Sequence, residues 1–478
     1  MASTIFEEIP KPGSWPIDPQ EDIAIKDERI WVDGCFDFFH HGHAGAMLQA
    51  RQLGNELWVG LHSDEEIMDN KGPTVMNLQE RIAAVEACRW VTKCVPYAPY
   101  VTSLPWISHY GCRYVVHGDD ITSDAGGGDC YRFVKSAGRF KIVKRTPGIS
   151  TTDLVGRMLL CTRGHFIKSL QDVLSGTEGA GSDDERKATA AAMIQRFKDY
   201  ATDESGLNPG SELWTWTCEV PELSRRKSST SSQVLTRVSS RKSDNAGSVR
   251  KMVGGKAPRK GQRVVYVDGG FDLFCSGHIE FLRSVVEIEN KSGAARGWFT
   301  EQAKQQRIKE CGEDYGPAYV LAGVHDDEVI NFWKGVNYPI MNIFERGLCV
   351  LQCKYVHAVI FGAPFIPTKT FLRSLPYGAP LVVYHGPTSF MPLTHDPYKA
   401  AKELGIFQEV PAHAFQHVNA GEIVERILKS RAMYEERQRV KGVKNVGEEA
   451  VRKREDMERE AERMKRIREV ERSQSWSI

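Results

Sequence analysis

The chain contains itself twice. Trp31 to His43 reads W-V-D-G-C-F-D-F-F-H-H-G-H, and Tyr266 to His278 reads Y-V-D-G-G-F-D-L-F-C-S-G-H, with eight of thirteen positions identical. The echo continues in order. Gly60-Leu61-His62-Ser63-Asp64-Glu65-Glu66-Ile67 returns as Gly323-Val324-His325-Asp326-Asp327-Glu328-Val329-Ile330. A Lys-Gly pair stands eleven residues after that glycine in both copies, at Lys71 and Lys334. Met76-Asn77 and Glu80-Arg81 return as Met341-Asn342 and Glu345-Arg346. Agreement over so many ordered stations is duplication of a whole domain rather than a short repeat. A chain of 478 residues has room for two such units and more.

Each unit alternates strand and helix signals. Apolar, β-prone runs at Trp31–Val32, Leu57–Leu61, Tyr114–Gly118 and Phe140–Val143 are separated by helix-forming stretches at Ala44–Leu53, Asn77–Trp90 and Thr152–Leu160. This order predicts βαβ units and a parallel sheet with right-handed crossovers. The expected division is a flexible arm over 1–25, a first domain over 26–166, a largely disordered linker over 167–262, a second domain over 263–430 and a charged helical tail over 431–478. Within the linker only Lys187–Tyr200 has a helical pattern. Leu223–Gly261 is rich in Ser, Lys, Arg and Gly and holds too few apolar residues to fold alone. Its Arg225-Arg226-Lys227-Ser228 and Arg237-Val238-Ser239 suit basophilic kinases, but a solvated linker explains them as well. The tail has a thin apolar stripe (Val446, Ala450, Met457, Ala461, Met464) and mixed i,i+4 charges, which favours a solvated helix or short coiled coil over a membrane-surface helix.

A net charge of +1 gives no global attraction to nucleic acid, and none is expected as a partner. Eleven cysteines without a C-x-x-C pair read as free thiols in a reducing compartment. Met1–Gln20 is Pro-rich and acidic, unlike a signal peptide, and no apolar run approaches the ~20 residues of a membrane span. A cytoplasmic protein is expected.

His40, Gly42 and His43 fall where the first strand of the first copy gives way to a helix. Open α/β sheets bind ligands there, and a helix start presents unpaired N–H groups to an anion. Two histidines flanking a glycine there can offer two ring N–H donors to a phosphate without ionising. Downstream stand Lys71-Gly72, Glu80-Arg81 and Arg145-Thr146-Pro147-Gly148-Ile149-Ser150-Thr151-Thr152. Read singly, Lys71 is a loop lysine, Ser150 an N-cap, and Asp119-Asp120 turn formers. Read in order, they resemble the cytidylyltransferases of phospholipid synthesis, members of the HxGH nucleotidyltransferase superfamily.

The resemblance covers both globular parts and implies two tandem Rossmann-like α/β nucleotidyltransferase domains with parallel sheets, a flexible linker and a charged C-terminal helix. It implies attack of a phosphate monoester on the α-phosphate of CTP. His40, His43, Lys71 and Arg145 are the implied catalytic residues. Gly34, Phe36, Asp37, Gly42, Arg81, Asp119, Gly148, Ile149, Ser150, Thr151 and Thr152 are the implied nucleotide contacts. Mg²⁺ is implied by the triphosphate, which would hold most of its coordination, so no protein metal ligands are expected. Because the domain is duplicated, CTP and phosphoethanolamine are the expected substrates. Phosphocholine, or a non-catalytic nucleotide-binding regulator, are the alternatives. Peripheral contact with the endoplasmic reticulum membrane and a homodimer stay open.

The second copy departs where the chemistry should be. Cys275 replaces the first histidine, His117-Gly118-Asp119-Asp120 becomes His385-Gly386-Pro387-Thr388, and the Arg-Thr-x-Gly-Ile-Ser-Thr-Thr block has no counterpart. A thiol cannot replace an imidazole donor. The expectation is a second domain that keeps its fold without its activity and packs against the first in a pseudo-twofold arrangement.

Overall fold

A computed structural model of the chain describes residues 24–120, 122–218, 247–335, 337–386 and 396–434, together with 436 and 439. The first sheet uses β1 (Lys26–Gly34), β2 (Glu56–Leu61), β3 (Lys93–Pro96), β4 (Cys112–Gly118) and β5 (Phe140–Val143), in the order β3-β2-β1-β4-β5. All its pairings are parallel. Ile30, Trp31 and Val32 are buried, as expected for a central strand covered on both faces. The helices are α1 (His41–Arg51), α2 (Asp64–Lys71), α3 (Leu78–Glu86), α4 (Leu104–His109), α5 (Arg132–Ser136) and α6 (Thr151–Leu160). Asn77 and Glu80 cap the start of α3 reciprocally, and Ser150 caps α6.

The segment expected as a largely disordered linker is different. It forms α7 (Leu170–Leu174), α8 (Asp183–Tyr200), β6 (Glu212–Cys218) and β7 (Gly247–Val253). Its polar composition concealed a few anchors. Phe197 on α8 is fully buried and packs on Phe344 and Phe361 of the second half, at ring-centroid distances of 4.9 and 5.1 Å. Tyr200 meets Trp90 of the first half edge-on at 5.4 Å, and its hydroxyl donates to the His41 carbonyl. The helix is thus a wedge touching both halves. The kinase-type motifs of 225–239, the arm to residue 23 and the tail beyond 439 lie outside the described residues.

The second half contributes β8 (Arg263–Gly269), β9 (Ala318–Val324), β10 (Ala358–Phe361), β11 (Val382–His385) and β12 (Phe407–Glu409). Its helices are α9 (Ser276–Ala295), α10 (Glu301–Cys311), α11 (Asp327–Lys334), α12 (Ile343–Leu351), α13 (Lys369–Ser374), α14 (Lys399–Glu403) and α15 (Ala420–Lys429). The sheet order is β12-β11-β8-β9-β10-β6-β7. Its first five strands repeat the first sheet, and β6 adds in parallel at the β10 edge with β7 antiparallel beyond it. Register is kept too: Asp33 pairs with Gly60 and Gly34 with Leu61, as Asp268 pairs with Gly323 and Gly269 with Val324. Both copies hold two side-chain-bearing residues in the left-handed region after the first strand, Phe36 and Phe38 in one, Phe271 and Leu273 in the other. No helix among the described residues is long and apolar enough to cross a membrane.

The halves meet through equivalent elements. Cys88 and Cys353 face each other in an antiparallel bridge. Arg89 N donates to the Gln352 carbonyl and Lys354 N to the Ala87 carbonyl, both at 2.9 Å. Arg157 on α6 makes a bidentate pair with Glu345 on α12 at 2.8 and 2.9 Å, and Arg426 on α15 makes the same pair with Glu80 on α3 at 2.8 and 2.9 Å. Glu80 and Glu345 are the same position in the two copies, so the contacts are reciprocal.

Candidate active site

A cleft of about 970 Å³ opens at the carboxyl ends of the first sheet's strands, the place where doubly wound sheets bind ligands. Gly34, Phe36, Asp37, His40, Gly42, His43, Lys71, Arg145, Ile149, Ser150, Thr151 and Thr152 all line it. Residues more than a hundred positions apart are therefore gathered around one cleft.

The two histidines are fixed by backbone. His40 is the N-cap of α1, and its Nδ1 accepts from Gly42 N at 3.0 Å. His43 Nδ1 accepts from His40 N at 3.3 Å. Each neutral ring therefore carries its proton on Nε2, which makes both imidazoles donors without a positive charge. The rings stack at a centroid distance of 3.9 Å. A Cβ on Gly42 would come within 2.8 Å of both the His40 ring and Ile149 Cγ2, so a larger residue would push apart the parts the cleft needs together. His41 belongs to the core: burial drives its pKa down to about 3, assisted by Arg196 and Arg157.

Lys71 is the last residue of α2, and Gly72, with φ +88°, turns the chain sharply. The following loop is held by Asp37, whose carboxylate accepts from Val75 N at 3.1 and 3.2 Å and from Met76 N at 2.9 Å. Lys71 Nζ lies 5.8 Å above the Tyr100 ring. On the opposite side Arg145 N donates to Asp119 Oδ1 at 3.2 Å, Ser150 Oγ accepts from Asp153 N, and Thr151 Oγ1 donates to the Asp37 carbonyl at 3.0 Å. The start of α6 thus faces the same cleft as the start of α1. Two helix N-termini, two neutral imidazole donors, a lysine and an arginine make an anion site for several phosphates.

Three residues of the expected set do not line the cleft: Arg81, Asp119 and Gly148. Asp119 positions the Arg145 backbone, and Gly148 adopts φ +82° in the turn before Ile149. Arg81 is 1% exposed, and its guanidinium is engaged by the Met76 and Cys35 carbonyls and by Asp64 at 3.2, 2.8 and 2.7 Å. Arg346 binds the Met341 and Gly270 carbonyls and Asp327 in the same way. The copy that lacks counterparts of His40 and Arg145 keeps this contact set, which gives the arginine a scaffold role.

Asp33 was not singled out from the sequence, yet it lines the cleft. Its carboxylate accepts from Trp31 Nε1, Thr102 Oγ1 and Tyr131 Oη at 2.8, 2.6 and 2.8 Å. The repeat of V-D-G in both copies was the available signal. His117, also in the lining, has its pKa lowered by burial, against the pull of Asp120.

The second half shows what closure looks like. Cys275 Sγ donates to the Val418 carbonyl at 3.1 Å, and a Cβ on Gly277 would meet that same oxygen at 2.1 Å. Main chain therefore lies over the start of α9, where an anion would sit. His278 is partly exposed, yet desolvation and then Lys334 bring its pKa down to about 3. Burial also lowers Lys334.

Comparison with known proteins agrees with this geometry. Residues 31–157 match a family model described as cytidylyltransferase-like. An ethanolamine-phosphate cytidylyltransferase of Dictyostelium discoideum is 38% identical over 421 residues, 87% of this chain and 95% of that protein. One of Mus musculus is 36% identical over 421 residues, covering 87% and 90%. Choline-phosphate cytidylyltransferase A of Rattus norvegicus is 42% identical over 133 residues, only 27% of this chain and 36% of that protein.

Proposed function

The chain belongs to the ethanolamine-phosphate cytidylyltransferase family, and from that membership we propose how its residues join CTP and phosphoethanolamine into CDP-ethanolamine and pyrophosphate. An oxygen of the phosphoethanolamine phosphate attacks the α-phosphorus of CTP. A P–O bond forms on that side, the bond to the β-phosphate breaks opposite it, and the electron pair leaves with pyrophosphate. The attacking oxygen is already anionic, so no base is required. The protein must align two anions and offset their charge.

The observation that carries the reading is the pair of Nδ1-anchored histidines at the start of α1. His40 and His43 donate from Nε2 to the α-phosphate and to the leaving pyrophosphate. Lys71 bridges the acceptor phosphate and the nucleotide, and Arg145 holds the triphosphate. The helix start at Ser150–Thr152 completes the anion site, while Gly34 and Gly42 let backbone come close to phosphate. Phe36, Asp37 and Ile149 shape the nucleotide wall. Arg81, Asp119 and Gly148 act one step away, through the loops they hold.

No group of three or more His, Cys, Asp or Glu side chains suited to a metal occurs among the described residues. An Mg²⁺ ion carried by the triphosphate is part of this proposal. Bound this way it would offset phosphate charge, while His40, His43 and Lys71 hold the phosphates.

The test is turnover by the purified chain with CTP, Mg²⁺ and either phosphoethanolamine or phosphocholine, following pyrophosphate. Release with phosphoethanolamine far exceeding that with phosphocholine is expected. The reverse preference would overturn the headgroup, and CTP binding without release would return the chain to a regulator. The reading extends to a cytoplasmic enzyme. Its peripheral contact with the endoplasmic reticulum membrane is tested by vesicle flotation and its homodimer by light scattering.

A further inference from the structure

The second half reaches into the first half's cleft. After α15 the chain continues to Met433, Tyr434 and Glu436, and all three line the cleft beside Lys71, Gly72 and Pro73. Tyr434 is 4% exposed, and its hydroxyl donates to the Thr74 carbonyl at 3.0 Å. Eight residues earlier, Arg426 donates to the Val75 carbonyl at 3.3 Å while pairing with Glu80. The Lys71 loop is therefore held from both sides: Asp37 of its own half takes the amides of Val75 and Met76, and the other half takes the carbonyls of Thr74 and Val75.

The arrangement has a twin. Arg157 donates to the Ile340 carbonyl at 3.0 Å while pairing with Glu345, and eight residues later His165 Nε2 donates to the Pro339 carbonyl at 2.9 Å. Pro339 and Ile340 stand just before Met341, as Thr74 and Val75 stand before Met76. Each half thus clamps the other's lysine loop, with an arginine and then a ring donor. Of the two loops, the first borders the open cleft. A contact repeated on two different side chains, over the same loop carbonyls, is a built device rather than incidental packing.

We propose that Tyr434, supplied by the degenerate half, is a positioning residue that sets the Lys71 loop for the acceptor phosphate; this rests on the function proposed above. CTP keeps its own holds at His40, His43 and the start of α6, so loss of the clamp falls on the acceptor side. The decisive comparison is Tyr434→Phe, which keeps the ring and removes the donor, with Tyr434→His, which supplies the kind of donor His165 supplies. For Tyr434→Phe, amide exchange at Val75 and Met76 should quicken and the KM for phosphoethanolamine should rise, each about five-fold, as one hydrogen bond is worth. Equilibrium CTP binding and melting temperature should hold, and Tyr434→His should restore much of the loss. Unchanged exchange and KM in Tyr434→Phe would overturn the proposal. So would a rise in acceptor KM accompanied by falls in CTP affinity and melting temperature, which is the signature of a merely structural contact. Were the wild type inactive on phosphoethanolamine, the function would fail, while the exchange rates would still decide whether the clamp exists.

Discussion

The two halves share strand order, register, left-handed residues, capping boxes and the buried arginine, yet one is open and the other filled. The difference is small in sequence. With a histidine at position 40, Nδ1 turns to the backbone and leaves a donor for a phosphate; with a cysteine at 275, the thiol turns to the Val418 carbonyl and main chain settles over the helix start. Contacts that both copies keep serve the shared scaffold, whereas His40 and the Arg145–Thr152 block, found only in the open copy, mark where its anion site differs. Arg81 and the carboxylate of Asp37 serve the scaffold in this sense, since Arg346 and Asp272 make the same contacts in the other copy.

The comparison breaks most sharply at the histidines. His43→Ala should lower kcat/KM on the order of 10³-fold, the scale of losing a donor to transition-state charge, whereas His278→Ala should leave it within about two-fold. Steady-state kinetics on both variants checks this, and similar losses would erase the distinction between open and filled. Next in size is the reciprocal interface. Glu345→Ala removes the bidentate partner of Arg157, a pair 10% and 7% exposed, and leaves the arginine only Asp153 at 2.7 Å and the Ile340 carbonyl. Removing one member of a buried pair costs about 3 kcal/mol when the other is left uncompensated, so about 2 kcal/mol is expected here. Glu80→Ala should cost less, since Arg426 is 25% exposed. Denaturant unfolding compares them, and equal losses would mean that the two contacts are not distinguished by burial.

The smallest effect is one of pH. Burial raises the pKa of Asp268 to about 7, against the hydrogen bond from Tyr398 that pulls it down. The folded state then holds a proton that the unfolded state has released. Stability from this group is greatest near the ordinary aspartate value and declines as pH rises toward 7, by up to about 1.4 kcal/mol per pH unit. Asp268→Asn keeps an acceptor for Tyr398 and removes the titration. Its melting temperature should gain on the wild type between pH 5 and 7 (about two units inside the titration window) and run parallel above it. A constant gap across that range would show that Asp268 does not titrate there.

The sequence carried the duplication, the alternation of strands and helices, and most of the cleft, because motif order survives without knowledge of contacts. It was less informative where a role depends on where a side chain ends. Arg81 had the right neighbours and lies beneath the cleft; Asp33 looked like part of a strand and lies in its wall. The stretch expected as linker failed for another reason. Average polarity hid Phe197 and Tyr200, two anchors whose partners belong to different halves. Tyr434 stands 360 residues from the carbonyl it holds, a distance no local pattern bridges.

Joining both copies in one polypeptide changes what a substitution does. In a symmetric pair of identical chains, every replacement appears at both sites, so a cysteine in place of the first histidine would silence both. Within a single chain one copy is free to lose its chemistry while its helix α15 still grips its neighbour's loop. The grip also becomes intramolecular, and no longer depends on how dilute the protein is.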